Sequence, residues 1–402
     1  MFLHSKPLRI REHNIPLLVH GQGVFLFKST TMEPCIFTIL SNHIPCLEVE
    51  FNVKSIHSIN TQTSEHYFDK NNTSGLSPLR GAYYWFSIDS QNQRLIAGVG
   101  EVRLETAIYR YQFPLLEGNK KWLESLTAIA ISDAYPHLVP LRMLRDPVTI
   151  KIPLFVKDMN ELTMNDIAKG DIMPSSHLNS ISQKLYQSIA GDKFVLDDDD
   201  FPEFSKAIEY SIATPGLWCH KRLKEKETEF NKENPDKLET YLRITLGENN
   251  GESPGIPYVM EIWPTGHYSP VHNHAYSSAI IRVLHGSIHV KLFPFLCDSP
   301  LGVAEFGSAD FKKGDVTWLT ETLNSVHQLE NRDTMTCITI QCYMYPENDI
   351  QHYDYFDYLD GKKIQHYEPD SDMDFVAFKK RMKKEWNNRP QDKPLFSCFS
   401  FQ

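Results

Sequence analysis

Two histidines one residue apart, His272 and His274, stand in the segment Gly266-His267-Tyr268-Ser269-Pro270-Val271-His272-Asn273-His274. A third, His327, follows Gly314-Asp315-Val316-Thr317-Trp318 and Ser325-Val326. Imidazoles in this pattern suit one transition metal held at the mouth of a small β-barrel. The positions after His274 are Ala275, Tyr276, Ser277, Ser278 and Ala279, so no acid is at hand to join them. Three neutral imidazoles would leave a divalent ion its full charge and open positions, and such an ion recruits an anionic ligand, a thiolate or a carboxylate.

The elements around the histidines read as short strands. Alternation along a strand sends the side chains at i and i+2 to one face, which predicts a strand carrying His272 and His274 into a common interior. Ala279 to Phe293 reads as two β-branched strands about a turn at His285-Gly286. Lys312-Lys313-Gly314-Asp315 is a turn signal, and Val316 to Leu319 opens another strand leading towards His327. Repeated strands and turns of this kind predict a double-stranded jelly roll, the cupin barrel.

With those residues in place, the segment from Asp197 to His366 resembles the cysteine dioxygenase-like thiol dioxygenases of the cupin superfamily. The resemblance makes His272, His274 and His327 the ligands of a ferrous ion. Tyr241-Leu242-Arg243 looks like the family's Tyr-x-Arg segment, whose arginine pairs with the substrate carboxylate through two parallel hydrogen bonds. Thr339-Ile340-Gln341-Cys342-Tyr343 falls where the family has Ser-x-His-x-Tyr, which makes Tyr343 the active-site phenol. His352 corresponds to a later family histidine beside the substrate carboxylate, and Tyr241 joins it in the substrate-binding set. Two positions depart from the pattern. Ala279 stands where animal enzymes have the cysteine cross-linked to the tyrosine, so no thioether can form. Gln341 replaces a histidine, and an amide can hydrogen-bond but does not titrate.

The resemblance implies a small thiol and dioxygen as substrates. Free cysteine, its carboxylate on Arg243 and Tyr343 alongside, would leave as cysteine sulfinic acid; cysteamine, 3-mercaptopropionate and a peptide N-terminal cysteine are the rival thiols. A reading from another class is a non-catalytic cupin that binds a metal or a small anion, and Gln341 favours it. Cys337 and Cys342 lie close by, without metal-pair spacing, and are expected as packed strand thiols.

A chain of 402 residues exceeds one such barrel, so a second unit is expected. The net charge of −10 argues against a general nucleic-acid surface. No apolar run is long enough for an integral membrane segment. The N-terminus, Met1 to Arg9, has no secretory core, and seven cysteines are irregularly spaced, so a cytoplasmic location is expected.

The predicted class is mainly β throughout. Residues 1–165 read as a β-sandwich-like domain, with strand-like runs at Val24-Phe27, Cys35-Leu40, Leu47-Val53 and Ala82-Ile88 and a hairpin from Trp85 to Gly100. Tyr83, Tyr84 and Trp85 could line a carbohydrate or protein-partner site, though consecutive strand aromatics more often divide between core and surface. Residues 166–196 form a helical linker, in which Ser176 caps a helix carrying Leu178, Ile181, Leu185 and Ile189. Residues 197–368 are the cupin domain with its helical prelude: the acidic run Asp197 to Asp200 caps a helix bearing Phe204, Ile208 and Ile212, and Trp218 to Phe230 reads as a further helix. Residues 369–402 carry an amphipathic helix on Phe375, Phe378, Met382 and Trp386, whose lysines cover its other faces and which is expected to pack on the preceding domain. Tyr353, Tyr355, Phe356 and Tyr358 are placed over the barrel mouth.

Overall fold

The run Val24-Phe25-Leu26-Phe27 has no polar position, and the strand that contains it, Gln22–Ser29, buries both its faces. In the computed structural model, which describes residues 5–8, 14–69, 75–76, 83–230, 234–247, 256–298, 303–346 and 356–390, the reason is a β-sandwich packed against a second body. One six-stranded antiparallel sheet runs in the order Ser5–Pro7, Leu138–Leu144, Gln22–Ser29, Tyr84–Asp89, Arg94–Val99, Ala107–Gln112. The other runs Asn14–Pro16, Ala128–Ile131, Cys35–Ser41, Ile44–Phe51, Ile56–Asn60, Glu65–Phe68. Alternation sends Phe25, Phe27 and Phe86 inward to meet Phe37 and Phe51 of the facing sheet, with Phe27 and Phe37 ring centroids 4.6 Å apart. Val24, Leu26 and Trp85 point the other way, into a smaller cluster with Ile96, Val102 and Leu144. Tyr84 and Trp85 are therefore buried and withdrawn from any ligand surface; Tyr83 alone of that trio is half-buried.

The second body contains an eight-stranded sheet: Ile172–Pro174, Phe155–Lys157, Val316–Leu319, Ser278–His285, Cys337–Met344, Tyr258–Trp263, Leu242–Leu246, Met373–Asp374. A three-stranded sheet, Gly307–Lys312, Ser287–Phe293, Val326–Glu330, faces it, and Val283, Trp263 and Cys337 of the first pack on Ile288, Val290, Phe311 and Leu329 of the second. Two sheets closed face to face in this way form a jelly-roll-like barrel. The strand Phe155–Lys157 already belongs to it, upstream of the expected boundary at residue 165.

The back of the eight-stranded sheet is covered by the helices Ser180–Ile189, Phe204–Ala213, Trp218–Glu225 and Phe375–Asn387. This double burial explains why Cys337–Met344 is buried along almost its whole length. Ile338, Ile340 and Cys342 face the helices while Thr339, Gln341 and Tyr343 alternate to the interior. The helix Ser180–Ile189 is capped by Asn179, whose Oδ1 accepts from the Ser182 amide at 2.7 Å, and not by Ser176. Ser176 instead lies in a 3-10 turn, which leaves Leu178 ahead of the helix. The helix expected over Trp218 to Phe230 closes at Glu225.

The acidic run is more than a cap. Asp197 accepts from the amide and hydroxyl of Ser205, and Asp198 and Asp200 pair with Lys379 at 2.6 and 3.3 Å. The C-terminal helix is thus held by charge on one face and by Phe378 and Met382 on the other. Phe378 is fully buried against Phe204 and Trp218. Phe378→Ala should cost about 3–5 kcal/mol, read as a lower urea midpoint; an unchanged midpoint would mean that the helix is not part of the core.

The two bodies interlock. Phe295 and Cys297, which follow the barrel strand Ser287–Phe293, complete the core of the sandwich. Gly100 meets Pro294 at the junction with φ +76°, and a Cβ there would strike the Pro294 carbonyl. Among the described residues no helix is long and apolar enough to cross a membrane.

Candidate metal centre

The segment that carries His272 and His274 contains Pro270 and Asn273 and does not form the predicted strand. It is pinned from two sides. His272 and His327 exchange both backbone hydrogen bonds at 3.0 Å, while Asn273 donates to the Asp357 carbonyl and Leu359 donates to that of Val271. Asn273 Oδ1 also accepts from the Ala275 amide, at the left-handed turn where Ala275 has φ 51°. With two different partners rather than one continuous ladder, the chain cannot settle into regular strand geometry.

This loop brings the three histidines together. All are buried, and one ring nitrogen from each lies within 4.8 Å of the others. His274 Nε2 and His327 Nε2 are 3.2 Å apart. Nitrogens bound about 2.1 Å from a shared ion stand roughly 3 to 3.5 Å from one another, so this spacing fits. The carbonyls of Pro270 and Asn324 lie 3.0 and 3.2 Å from Nδ1 of His272 and His327. A carbonyl can only accept, which puts the proton on Nδ1 and leaves the Nε2 lone pair free. Burial holds all three imidazoles neutral: it lowers His272 to about 4, lowers His327 to about 3, and takes His274 well below the usual histidine range, with the neighbouring rings adding to the shift in His274 and His327. Neutral lone pairs converging in a dry site repel each other unless a cation lies between them, so the donor set fits a metal. His274 Nδ1 has no hydrogen-bond partner among the described residues; its ring is held by Phe356, 4.4 Å between centroids, and by Tyr343 at 5.4 Å. Phe356 therefore does cover the site as expected of that segment. Tyr353 and Tyr355 lie outside the described residues, and so does His352.

The other sequence-predicted residues share this interior, with a difference. Arg243 is buried and its Nη1 is 2.6 Å from Oε1 of Glu261, a residue the sequence reading passed over. The strands place Arg243 directly opposite Glu261, and Glu261 opposite Thr339. The second Glu261 oxygen accepts from the Gln341 amide, and Gln341 Oε1 accepts from the Tyr343 hydroxyl. Burial pushes Glu261 up to about 7 against the pull of Arg243, and it keeps Tyr343 a phenol well above its ordinary range. For Arg243 burial works against the charge, but Glu261 beside it prevails and the guanidinium stays protonated. Tyr241 stacks on Trp263, 4.2 Å between centroids, and Asp372 accepts from the Arg243 amide at 2.7 Å, held in turn by Arg222 and Lys226. Ala279 is paired with Tyr343 across the ladder, and Cys337 and Cys342 are buried thiols raised above the ordinary range by desolvation.

His327 is reached from the sandwich as well. Glu101 accepts from the amides of Asn324 and Ser325, both at 2.9 Å, and Arg103 donates to Asn324 Oδ1 at 2.7 Å and to the Ile152 carbonyl at 3.0 Å. Glu101 and Arg103 are themselves buried and 3.4 Å apart. The same Asn324 offers its carbonyl to His327 Nδ1, so a charged pair of the first body holds the loop that orients a histidine of the second.

No family model matches the chain. Among solved structures, the Schizosaccharomyces pombe Cnp3 cupin domain is 13% identical, with 26% of this chain and 65% of that one covered, at a TM-score of 0.21. A cupin domain of an XRE-family transcriptional regulator from Enterobacter cloacae is 12% identical over 27% of this chain and 98% of its own, also at 0.21. An oxalate oxidase solved with the substrate analogue glycolate is 18% identical, over 26% of this chain and 49% of that one, at 0.21. The chain thus spans less than two thirds of the first and about half of the last. The barrel described above stands on its own strand pairing and takes nothing from likenesses of this size.

Proposed function

We propose that the barrel is a cupin and that the chain is an iron-dependent thiol dioxygenase, of the kind that converts a thiol and dioxygen into a sulfinic acid. The observation that carries this reading is the convergence of three buried neutral imidazoles, with Tyr343 beside them and Arg243 in the same barrel interior. His272, His274 and His327 would hold the ferrous ion. When bound, such an ion supplies a Lewis-acidic site for a thiolate and access to dioxygen. The reaction balances without another reactant: R–SH and O2 give R–SO2H.

The protein's own contribution is orientation and exclusion of water. Phe356 closes one side of the histidines and Tyr343 lies beside His274. Tyr343, kept protonated by burial and donating its proton to Gln341, presents its oxygen as an acceptor and never competes as an anion for the ion. Arg243, its backbone amide held by Asp372, offers its unpartnered Nε–H to the polar end of the substrate. The sandwich and the barrel are the two working units, the first supporting the loop of His327.

The test is to quantify iron in the purified protein and to follow oxygen uptake with sulfinate detection on cysteine, cysteamine, 3-mercaptopropionate and a peptide with N-terminal cysteine. Iron near one per chain with uptake that needs a thiol is the expected outcome. Metal without thiol-dependent uptake would instead favour a non-catalytic metal- or anion-binding cupin, the reading that the untitratable Gln341 supports.

A further inference from the structure

We propose that the pocket takes an aminothiol whose carboxyl group is absent or blocked as an amide or ester, and that Glu261 sets this preference. This rests on the reading of the site as one for thiols.

The argument starts from what Arg243 has left to give. A guanidinium that clamps a carboxylate ligand must bring a net positive charge. Here the charge is already matched inside the protein: Arg243 and Glu261 sit in register on adjacent strands, both nearly inaccessible, 2.6 Å apart. The match continues without a gap, from Glu261 to the Gln341 amide and from Gln341 to the Tyr343 hydroxyl. Gln341 is what makes this chain of bonds possible, because it donates at one end and accepts at the other. With Arg243 charged and Glu261 ionised the set is neutral as a whole.

A free carboxylate brought to Arg243 would have to approach Glu261 too, so that either two like charges meet in a dry interior or Glu261 must first take up a proton, and both weaken binding. An uncharged carbonyl meets no such conflict. One donor is still waiting for it: Arg243 Nε is buried and has no hydrogen-bond partner among the described residues. A single neutral acceptor satisfies that group, where a carboxylate would need a second compensating cation. Cysteinamide, a cysteine ester, or the first residue of a peptide supplies that acceptor next to the aminothiol; cysteamine leaves the Nε to water.

The experiment uses the full-length protein loaded with cobalt(II), whose visible spectrum gains a charge-transfer band when a thiolate binds. Titrations with cysteine, cysteinamide, cysteine methyl ester and cysteamine give dissociation constants without turnover, and oxygen uptake of the iron form is followed in parallel. Cysteinamide is expected to bind at least about tenfold more tightly than free cysteine. In Glu261→Gln, which keeps the shape and removes the negative charge, free cysteine should gain about tenfold while cysteinamide changes by less than about threefold. Free cysteine binding as well as its amide to the unaltered protein would overturn the proposal, whether or not the variant folds, and so would an unchanged ratio in the variant. Cobalt bound with no thiolate band from any thiol would overturn the thiol reading itself and this inference with it, whereas bands from all four with cysteine in front would remove this inference alone.

Discussion

His274→Ala is expected to leave the protein folded and without metal. Its ring nitrogen lies 3.2 Å from that of His327, inside the cluster, so its loss takes away one corner of a three-cornered site. Loss of even an outer partner of a metal ligand weakens binding by about 10–100-fold, so loss of a ligand should exceed about 100-fold. The apo protein has little to lose: His274 Nδ1 makes no hydrogen bond among the described residues, and Nε2 gives up its contact with His327 Nε2. A urea midpoint within about 1–2 kcal/mol of the parent is expected, the residual cost coming from the space vacated beside Phe356 and Tyr343. Elemental analysis after dialysis and a denaturation curve on the same sample check both halves. Stoichiometric iron together with full turnover in the variant would end the assignment of these histidines as the site.

Residue type and spacing revealed the histidines because a metal site needs only a few donors, and three of them stand within one stretch of the chain. The N-terminal strands were legible as well: the aromatic runs and the hairpin from Trp85 to Gly100 correspond to observed strands. What could not be read is pairing between distant segments. Glu261 is a single acid in the otherwise apolar Val259-Met260-Glu261-Ile262-Trp263, a pattern that by itself demands a buried partner. That the partner is Arg243 follows only from the register of two strands and that Gln341 joins them only from a third. The predicted strand at His272 failed for a related reason: the segment answers to His327 on one side and to residues 357–359 on the other, and neither interaction is visible locally. At the helix Ser180–Ile189 the sequence pointed to Ser176 as the cap, whereas Asn179 holds that place and Leu178 is buried ahead of the helix.

Arg103→Ala is expected to damage stability and metal binding together, and the proportion between them tells what the sandwich is for. Arg103 is buried beside Glu101 and also bonds Asn324, the Ile152 carbonyl and Glu105. Removing it strands the Glu101 carboxylate, which burial already pushes up to about 7, in a dry interface. Breaking a buried pair in this way costs about 3–5 kcal/mol, which a urea curve can measure. If the pair served only to join the two bodies, metal affinity measured well below the unfolding transition would stay as it was. The geometry argues otherwise. Glu101 holds the amides of Asn324 and Ser325, and the Asn324 carbonyl fixes the proton of His327 on Nδ1, so freedom in this loop is freedom in a ligand. A fall in affinity of about 10–100-fold in competition with a chelator is therefore expected, the size typical of a lost outer partner. Glu101→Gln should show the milder form of both effects, since an amide oxygen can still accept one of the two backbone bonds. An Arg103→Ala protein that is destabilised as expected yet binds metal as tightly as its parent would show that the sandwich braces the fold without tuning the site.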